Sequence, residues 1–83
     1  MRIINVLEQK NGIPVKIESF PVYEEQLPDD VVEASERHFI AKINENISPD
    51  VLSDEEQEEH IENGYYQNQN GYGIFIIWSY IEQ

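Results

Sequence analysis

The sequence predicts an α+β domain, with the element order ββααβ or ββααββ and two helices packed on one face of an antiparallel or mixed sheet. Three observations predict this class: an early pair of strand-like segments around an Asn-Gly turn, two stretches with helical spacing of apolar residues, and a C-terminal run of aromatic and β-branched residues. The chain has 83 residues, of which 40% are hydrophobic, so we expect a single domain over residues 1–83 with one modest core.

The first two elements are predicted to form a β-hairpin. Residues 2–8 and 13–20 are rich in strand-forming side chains, and they flank the Asn-Gly pair at 11–12. That pair is a strong signal for a two-residue hairpin turn. The first strand is apolar on both faces, so it is expected in the interior of the sheet.

The second strand is predicted to lie half-buried at an edge of the sheet. Ile13, Val15 and Ile17 alternate with less apolar residues, which is the pattern of a strand with one face on the core. Pro14 cannot donate a backbone hydrogen bond, and a proline costs little only where a strand lacks a neighbour on one side.

Residues 31–47 are predicted to form the main core helix. Asp30 and Glu33 have the spacing of a capping box, which places the helix start just after Asp30. Apolar residues then recur at helical spacing along one stripe, at Val32, Phe39, Ile43 and Ile47.

A second, shorter helix is predicted before Gly64. Ser53 and Glu56 repeat the capping-box spacing, and the Asn-Gly pair at 63–64 is typical of a helix end. Pro49 is suited to a first helical turn, so it predicts that the chain turns back into a helix soon after the first one ends.

The C-terminal residues are predicted to form a central strand. Ile74, Ile76, Trp78 and Tyr80 share one face, and Phe75, Ile77 and Ile81 share the other. Because both faces are apolar, the strand should be covered on both sides or leave one side exposed for association, with Trp78 in the core. The Asn-Gly pair at 70–71 predicts a further hairpin, which would pair residues 65–69 with this strand.

The net charge limits the classes of partner. There are 17 acidic and five basic residues, which give a formal net charge of −12, and no Lys or Arg follows Lys42. A direct contact with nucleic acid or with an anionic membrane is excluded, because both carry the same sign of charge. Encounter with a basic protein would be accelerated.

The second predicted helix concentrates this charge on one face. At 100° per residue, five carboxylates fall within an arc of roughly 140°, with Gln57, His60 and Ile61 opposite. The five are Asp54, Glu55, Glu58, Glu59 and Glu62. Counting Glu56 as well, the helix carries one negative charge per ~2.3 Å of its length, compared with one per ~1.7 Å of axis in duplex DNA.

The same arrangement has a cost in helix stability. Five pairs of like charges lie three or four residues apart, and each opposes the helix by roughly 0.2–0.5 kcal/mol. A face shaped only by stability would intersperse lysines among the acids. The alternative is that the charge serves solubility alone, as solvated charge runs commonly do.

No catalytic, metal or cofactor site is predicted. His60 follows Glu56 by four residues, which is a helical metal-ligand spacing, but His38 is the other histidine of the chain and nothing fixes a third ligand. A structural role is therefore expected for both histidines. The chain has no cysteine, no serine in a nucleophile-elbow context and no Gly-rich phosphate loop, so we expect a protein that is not an enzyme.

The sequence also predicts a cytoplasmic protein. Its N-terminal residues lack a basic stretch followed by a long apolar run, so no signal peptide is expected. The longest apolar-rich stretch, GYGIFIIWSYI, is too short to cross a bilayer as a helix.

These observations lead to a binding hypothesis. We expect an acidic module that blocks a basic, nucleic-acid-binding surface on a partner protein, as a mimic of DNA or RNA. Phage-type inhibitors of anti-viral defence proteins and immunity proteins or antitoxins that cap basic toxins are the two analogous classes. Tyr65 and Tyr66 follow the five carboxylates directly and are expected to add anchoring contacts, since tyrosine offers a large contact area with few rotatable bonds.

The alternative hypothesis belongs to a different class. In it, the chain is a structural or oligomerisation module, and the apolar C-terminal strand makes the contact that matters, for instance in a homodimer. The acidic surface then confers solubility only.

Overall fold

Four strands form one antiparallel sheet, and two helices lie on one of its faces. The computed structural model describes residues 1–23 and 28–80. In chain order its elements are β1 (Arg2–Lys10), β2 (Ile13–Val22), α1 (Pro28–Ile47), α2 (Asp54–Asn63), β3 (Tyr65–Gln67) and β4 (Tyr72–Tyr80). The strand order is β2-β1-β4-β3, so the α+β prediction is confirmed in its ββααββ form, with an antiparallel rather than a mixed sheet.

The predicted hairpin of β1 and β2 is present. Asn11 and Gly12 have φ angles of 52° and 80°, and positive values at both positions are typical of the two-residue turn that matches the twist of the flanking strands. As predicted, β1 is an interior strand and β2 is an edge strand.

The predicted half-burial of β2 is wrong. Ile13, Val15 and Ile17 are 66%, 54% and 61% exposed. The register shifts between Glu8 and Gln9, so that Val15 is the extra residue of a β-bulge. Because the bulge reverses the alternation of side chains, Ile13 and Ile17 do not share a face.

The core lies between the sheet and α1. Phe39 and Ile43 of α1 are fully buried against Val6 of β1 and Ile74 of β4, as the predicted apolar stripe requires. The helix begins at Pro28, and the predicted start after Asp30 is therefore wrong. Proline suits a first helical turn, and the carboxylates that follow it lie at the positive end of the helix dipole.

A hydrogen bond to α1 fixes the connection between the two helices. The side-chain oxygen of Asn44 accepts a hydrogen bond of 2.9 Å from the backbone N–H of Leu52, and the Leu52 side chain is buried in the core. Pro49 lies in a turn directly after α1 and not in a first helical turn, although the chain does form a helix soon afterwards, as predicted. The cap residue Ser53 decides the start instead.

The second hairpin joins β3 to β4, as predicted, but its first strand covers residues 65–67 rather than 65–69. Asn68 ends that strand, because its side-chain oxygen accepts hydrogen bonds from the N–H groups of Asn70 and Tyr72, at 2.9 and 3.2 Å. Gly71 lies against the first hairpin turn. A Cβ atom there would collide with the Asn11 side chain.

Aromatic residues at the two ends of β4 have different surroundings. Tyr72 is buried, and its hydroxyl donates to Glu8 Oε2 over 3.3 Å; burial and the nearby carboxylate raise the pKa of this phenol well above its usual range. Trp78 is 51% exposed, with the Arg2 guanidinium 6.0 Å from its ring centre, so the expectation that Trp78 belongs to the core is wrong.

The position of Ile43 leads to a stability prediction. Ile43→Ala removes a side chain with no exposed surface and should lower the free energy of unfolding by about 2–5 kcal/mol, because the cavity cannot close fully. Ile13→Ala makes the same chemical change at a 66% exposed site and should cost less than about 1 kcal/mol. Urea unfolding followed by circular dichroism measures both, and equal losses would contradict the core described above.

Candidate protein-binding surface on the acidic helix

Both ends of α2 are fixed by hydrogen bonds that the sequence predicts. Ser53 Oγ accepts from the Glu56 N–H at 3.2 Å, and Glu56 Oε1 accepts from the Ser53 N–H at 3.1 Å, which completes the capping box. At the other end Gly64 has a φ of 77°, and its N–H donates to the His60 carbonyl at 2.9 Å. The hydrogen bond from Ser53 holds the pKa of Glu56 below its ordinary value.

The inner side of α2 makes few but specific contacts. Gln57 Nε2 donates to the Leu52 carbonyl at 3.2 Å, Ile61 packs against the core, and the His60 ring meets Tyr66 edge-on at 5.1 Å between centroids. These are the three inner residues that helical spacing predicts. No residue of α2 is fully buried, so its capped ends and this narrow contact hold it in place.

The outer side of α2 is a continuous carboxylate surface. All five predicted residues are exposed and lie on one ten-residue helix, about 15 Å long. They are Asp54, Glu55, Glu58, Glu59 and Glu62, and we call them the acidic face. Among residues 1–23 and 28–80, the salt bridge that forms joins Lys42 to Glu45, and none involves α2. The acidic face therefore meets solvent with its charge unneutralised by the rest of the described chain.

Tyr65 and Tyr66 do not lie together beside these carboxylates. Tyr66 pairs with Ile74, whose side chain is buried beneath the helices, whereas Tyr65 pairs with Phe75 on the opposite face of the sheet. Tyr65 is 49% exposed there and stacks on Phe75 at 6.2 Å. The structure thus brings the five carboxylates together, places Tyr66 behind them against His60, and separates Tyr65 from them.

A groove of about 500 Å³ runs between the two helices and is lined from α2 by two of its inner residues. Its α1 wall includes Glu33, Glu36 and Arg37, and its α2 wall is made by Gln57 and Ile61. Sequence reasoning about α2 alone missed that α1 contributes the carboxylates of Glu33 and Glu36 to the groove beside α2. These groove residues could have been found from the sequence, because positions 33, 36, 37 and 40 have helical spacing on a stripe beside the core residues.

The histidines have structural surroundings. His38 of α1 packs on the Phe20 ring at 5.6 Å, and its buried Nε2 has no hydrogen-bond partner among the described residues. His60 packs on Tyr66 as above. Within the described part of the chain, no three His, Asp or Glu side chains are grouped so that they could hold a metal ion.

Among the helices of the described residues, none is long and apolar enough to cross a membrane. Comparison of the chain with protein-family models, curated proteins and solved structures gives no match. Function is therefore inferred from the geometry and charge of the chain itself.

The acidic face carries its own stability prediction. Changing Glu58 and Glu62 to Gln removes four of the five close like-charge pairs of the acidic face and should raise the free energy of unfolding by about 1 kcal/mol at low salt. Changing Asp54 to Asn and Glu55 to Gln should give no such gain, since these acids lie in the first turn, where the helix dipole favours them. Urea unfolding at low and high salt compares the two double variants. Equal changes in their free energies of unfolding would contradict this account.

Glu56 generates a pH prediction. Since its pKa is lowered by folding, its contribution to stability is present above the ordinary value of about 4.5 and is lost as the pH falls through the folded value. Glu56→Gln keeps an acceptor oxygen but does not titrate, so the difference in unfolding free energy between the wild type and this variant should shrink below about pH 4.5.

Glu55→Gln is the matched control, because Glu55 carries the same charge one residue earlier without a capping contact. Its difference from the wild type reports the loss of the charge without the loss of a capping hydrogen bond. Parallel pH curves for the two variants would contradict the role of the capping carboxylate.

Proposed function

We propose that this protein is a non-enzymatic binding module that uses the acidic face to cover a basic surface on a partner protein, most directly a surface that otherwise binds nucleic acid. It acts in the cytoplasm as a nucleic-acid mimic. Phage-type anti-CRISPR or anti-restriction inhibitors, and immunity proteins that cap basic toxins, are the protein classes that work on this principle.

The observation that carries the proposal is the unneutralised charge of the acidic face. With Glu56 included, α2 bears six carboxylates over about 15 Å, or one per ~2.5 Å of helix, which approaches the density of duplex DNA. The like-charge repulsion in this helix is not relieved by a salt bridge to any cation among the described residues. A surface selected for stability alone would relieve that repulsion with lysine.

The chemistry of such a surface defines its partner. Exposed carboxylates attract Arg and Lys side chains and accept charge-assisted hydrogen bonds from them. Association with a basic surface is accelerated by the −12 net charge and slowed by salt, because screening shortens the range of the attraction. Nucleic acid itself carries the wrong sign of charge to bind here.

The test is affinity capture from a host-cell lysate with three baits. One bait is the wild type, and the second is a neutralised variant with Asp54→Asn and with Glu55, Glu58, Glu59 and Glu62 changed to Gln. The third removes five carboxylates elsewhere, by Glu18→Gln, Asp29→Asn, Asp30→Asn, Glu45→Gln and Asp50→Asn. Both variants change the net charge from −12 to −7, so they differ only in where the negative charge is lost.

We expect the wild type and the third bait to retain a basic nucleic-acid-binding protein, and the neutralised variant to lose it. Retention should fall steeply with salt, and duplex DNA or RNA should compete for the captured partner. Mass spectrometry identifies the partner, and circular dichroism confirms that each bait is folded. Equal capture by all three baits, or no specific capture, would overturn the proposal.

A further inference from the structure

Among the described residues, the sheet face opposite the helices carries no charged side chain. The pairing register assigns each strand residue to a face, because directly opposed residues point to the same side. We call the side away from the helices the open face. Its apolar centre consists of Leu7, Ile17, Tyr65, Phe75 and Ile77.

All charged residues of the described strands lie on the other side. They are Arg2, Glu8, Lys10, Lys16 and Glu18, and each is in register with a residue of the face that α1 covers. In a chain where 27% of the residues are charged, an entire solvent-facing sheet surface without one charge is a departure from an ordinary soluble face.

The centre of the open face is apolar across the full width of the sheet. Ile17, Leu7, Phe75 and Tyr65 form one row over all four strands, and Ile77 adjoins it. Ile17, Ile77 and Tyr65 are 61%, 46% and 49% exposed, so this row is not covered by any part of the described chain. Contiguous exposed apolar surface of this kind marks an association site.

Three polar side chains at one end of the open face are already paired with one another. Ser19 Oγ donates to Asn5 Oδ1 over 2.8 Å, and Asn5 Nδ2 donates to Ser79 Oγ over 2.9 Å, which links three strands. Burial of a polar group is costly when its hydrogen bonds are lost. For these three side chains the bonds are made within the face, so burial of this end leaves their hydrogen bonds intact.

We propose that the open face binds the open face of a second copy of this chain, giving a face-to-face β-sandwich homodimer. Two copies with a charge of −12 each repel one another, and a surface without charge is the place where they can meet. With two sheets ~10 Å apart and a helix layer outside each, the two acidic faces lie ~30 Å from one another, well beyond the ~8 Å Debye length at physiological salt.

The size of the surface fits this occupant. Three strands of nine or ten residues and one short strand give a projected face of roughly 500 Å². Two copies would therefore bury about 1,000 Å² in total, counted as flat area without the added surface of protruding side chains. That is the lower limit of a specific interface, and it predicts a dimer of moderate affinity. The sheet edges are poor alternatives, since Pro14, Lys16 and the bulge at Val15 blunt β2 and β3 has three residues.

The dimer and the proposed partner contact respond to salt with opposite sign. Salt weakens binding of a basic protein to the acidic face, whereas it screens the repulsion between two acidic copies and should strengthen the dimer. The two proposals therefore succeed or fail independently. Each dimer would carry two acidic faces on opposite outer sides.

Sedimentation velocity over micromolar to submillimolar chain concentration is the test. We expect the wild type to approach twice the 9.8 kDa mass of one chain, and to do so at lower concentration as salt is raised. Ile77→Glu and Ile17→Glu place a charge in the interface twice per dimer and should each raise the dissociation constant at least about a hundredfold. Ile13→Glu, at a 66% exposed position of β2 on the helix side, should change it less than about threefold.

Thermal melts followed by circular dichroism establish whether each variant is folded. If Ile77→Glu does not fold, the test rests on Ile17→Glu, which lies on the edge strand β2. A wild type that stays monomeric at high concentration and high salt would overturn the proposal whatever the variants do. So would a dimer that persists in Ile17→Glu, or one that Ile13→Glu disrupts equally.

Discussion

The nine-residue antiparallel ladder between β1 and β4 is the constraint on which the rest of the structure depends. It pairs Arg2 with Tyr80 at one end and Lys10 with Tyr72 at the other, so it joins the two ends of the described chain. Side chains alternate along each strand, and this one register therefore decides which face every residue of the central strands occupies. A slip by one residue would turn Ile74 away from α1 and break the core.

The same ladder also positions the acidic helix. The N–H of Ile76 donates to the Gly64 carbonyl at 2.9 Å, which ties the C-terminal end of α2 to β4 just before β3 begins. Since α2 lies on the side of the sheet that α1 covers, every carboxylate of the acidic face is on that side too. The outcome is a two-sided molecule, strongly negative over its helices and neutral over its sheet.

Local features of this fold could be predicted from the sequence because short-range chemistry decides them. The turn at Asn11-Gly12, the capping box of Ser53 and Glu56 and the helix end at Gly64 each depend on a few adjacent residues. For the same reason the acidic face follows from helical spacing alone, and all five of its carboxylates are exposed as expected.

The errors about the sheet have a common cause in long-range contacts. The bulge at Val15 arises from how β2 pairs with β1, and the alternation of apolar residues over 13–20 does not predict it. Strand geometry likewise sends the adjacent Tyr65 and Tyr66 to opposite faces once β3 pairs with β4. Trp78 has a core-like composition around it, yet it lies near the end of β4 where its ring remains half exposed.

The rigidity of α2 gives the acidic face its significance for binding. A helix with no fully buried residue and five close like-charge pairs on its acidic face would fray if its ends were free, and the capping box and Gly64 prevent this. The carboxylates are thereby held at helical spacing before any partner arrives, which reduces the ordering cost of association. A partner that brings cations to this surface also relieves the repulsion within the helix. By linkage, binding and helix stability then reinforce one another, so the self-repulsion that weakens the free protein adds to the favourable free energy of the complex.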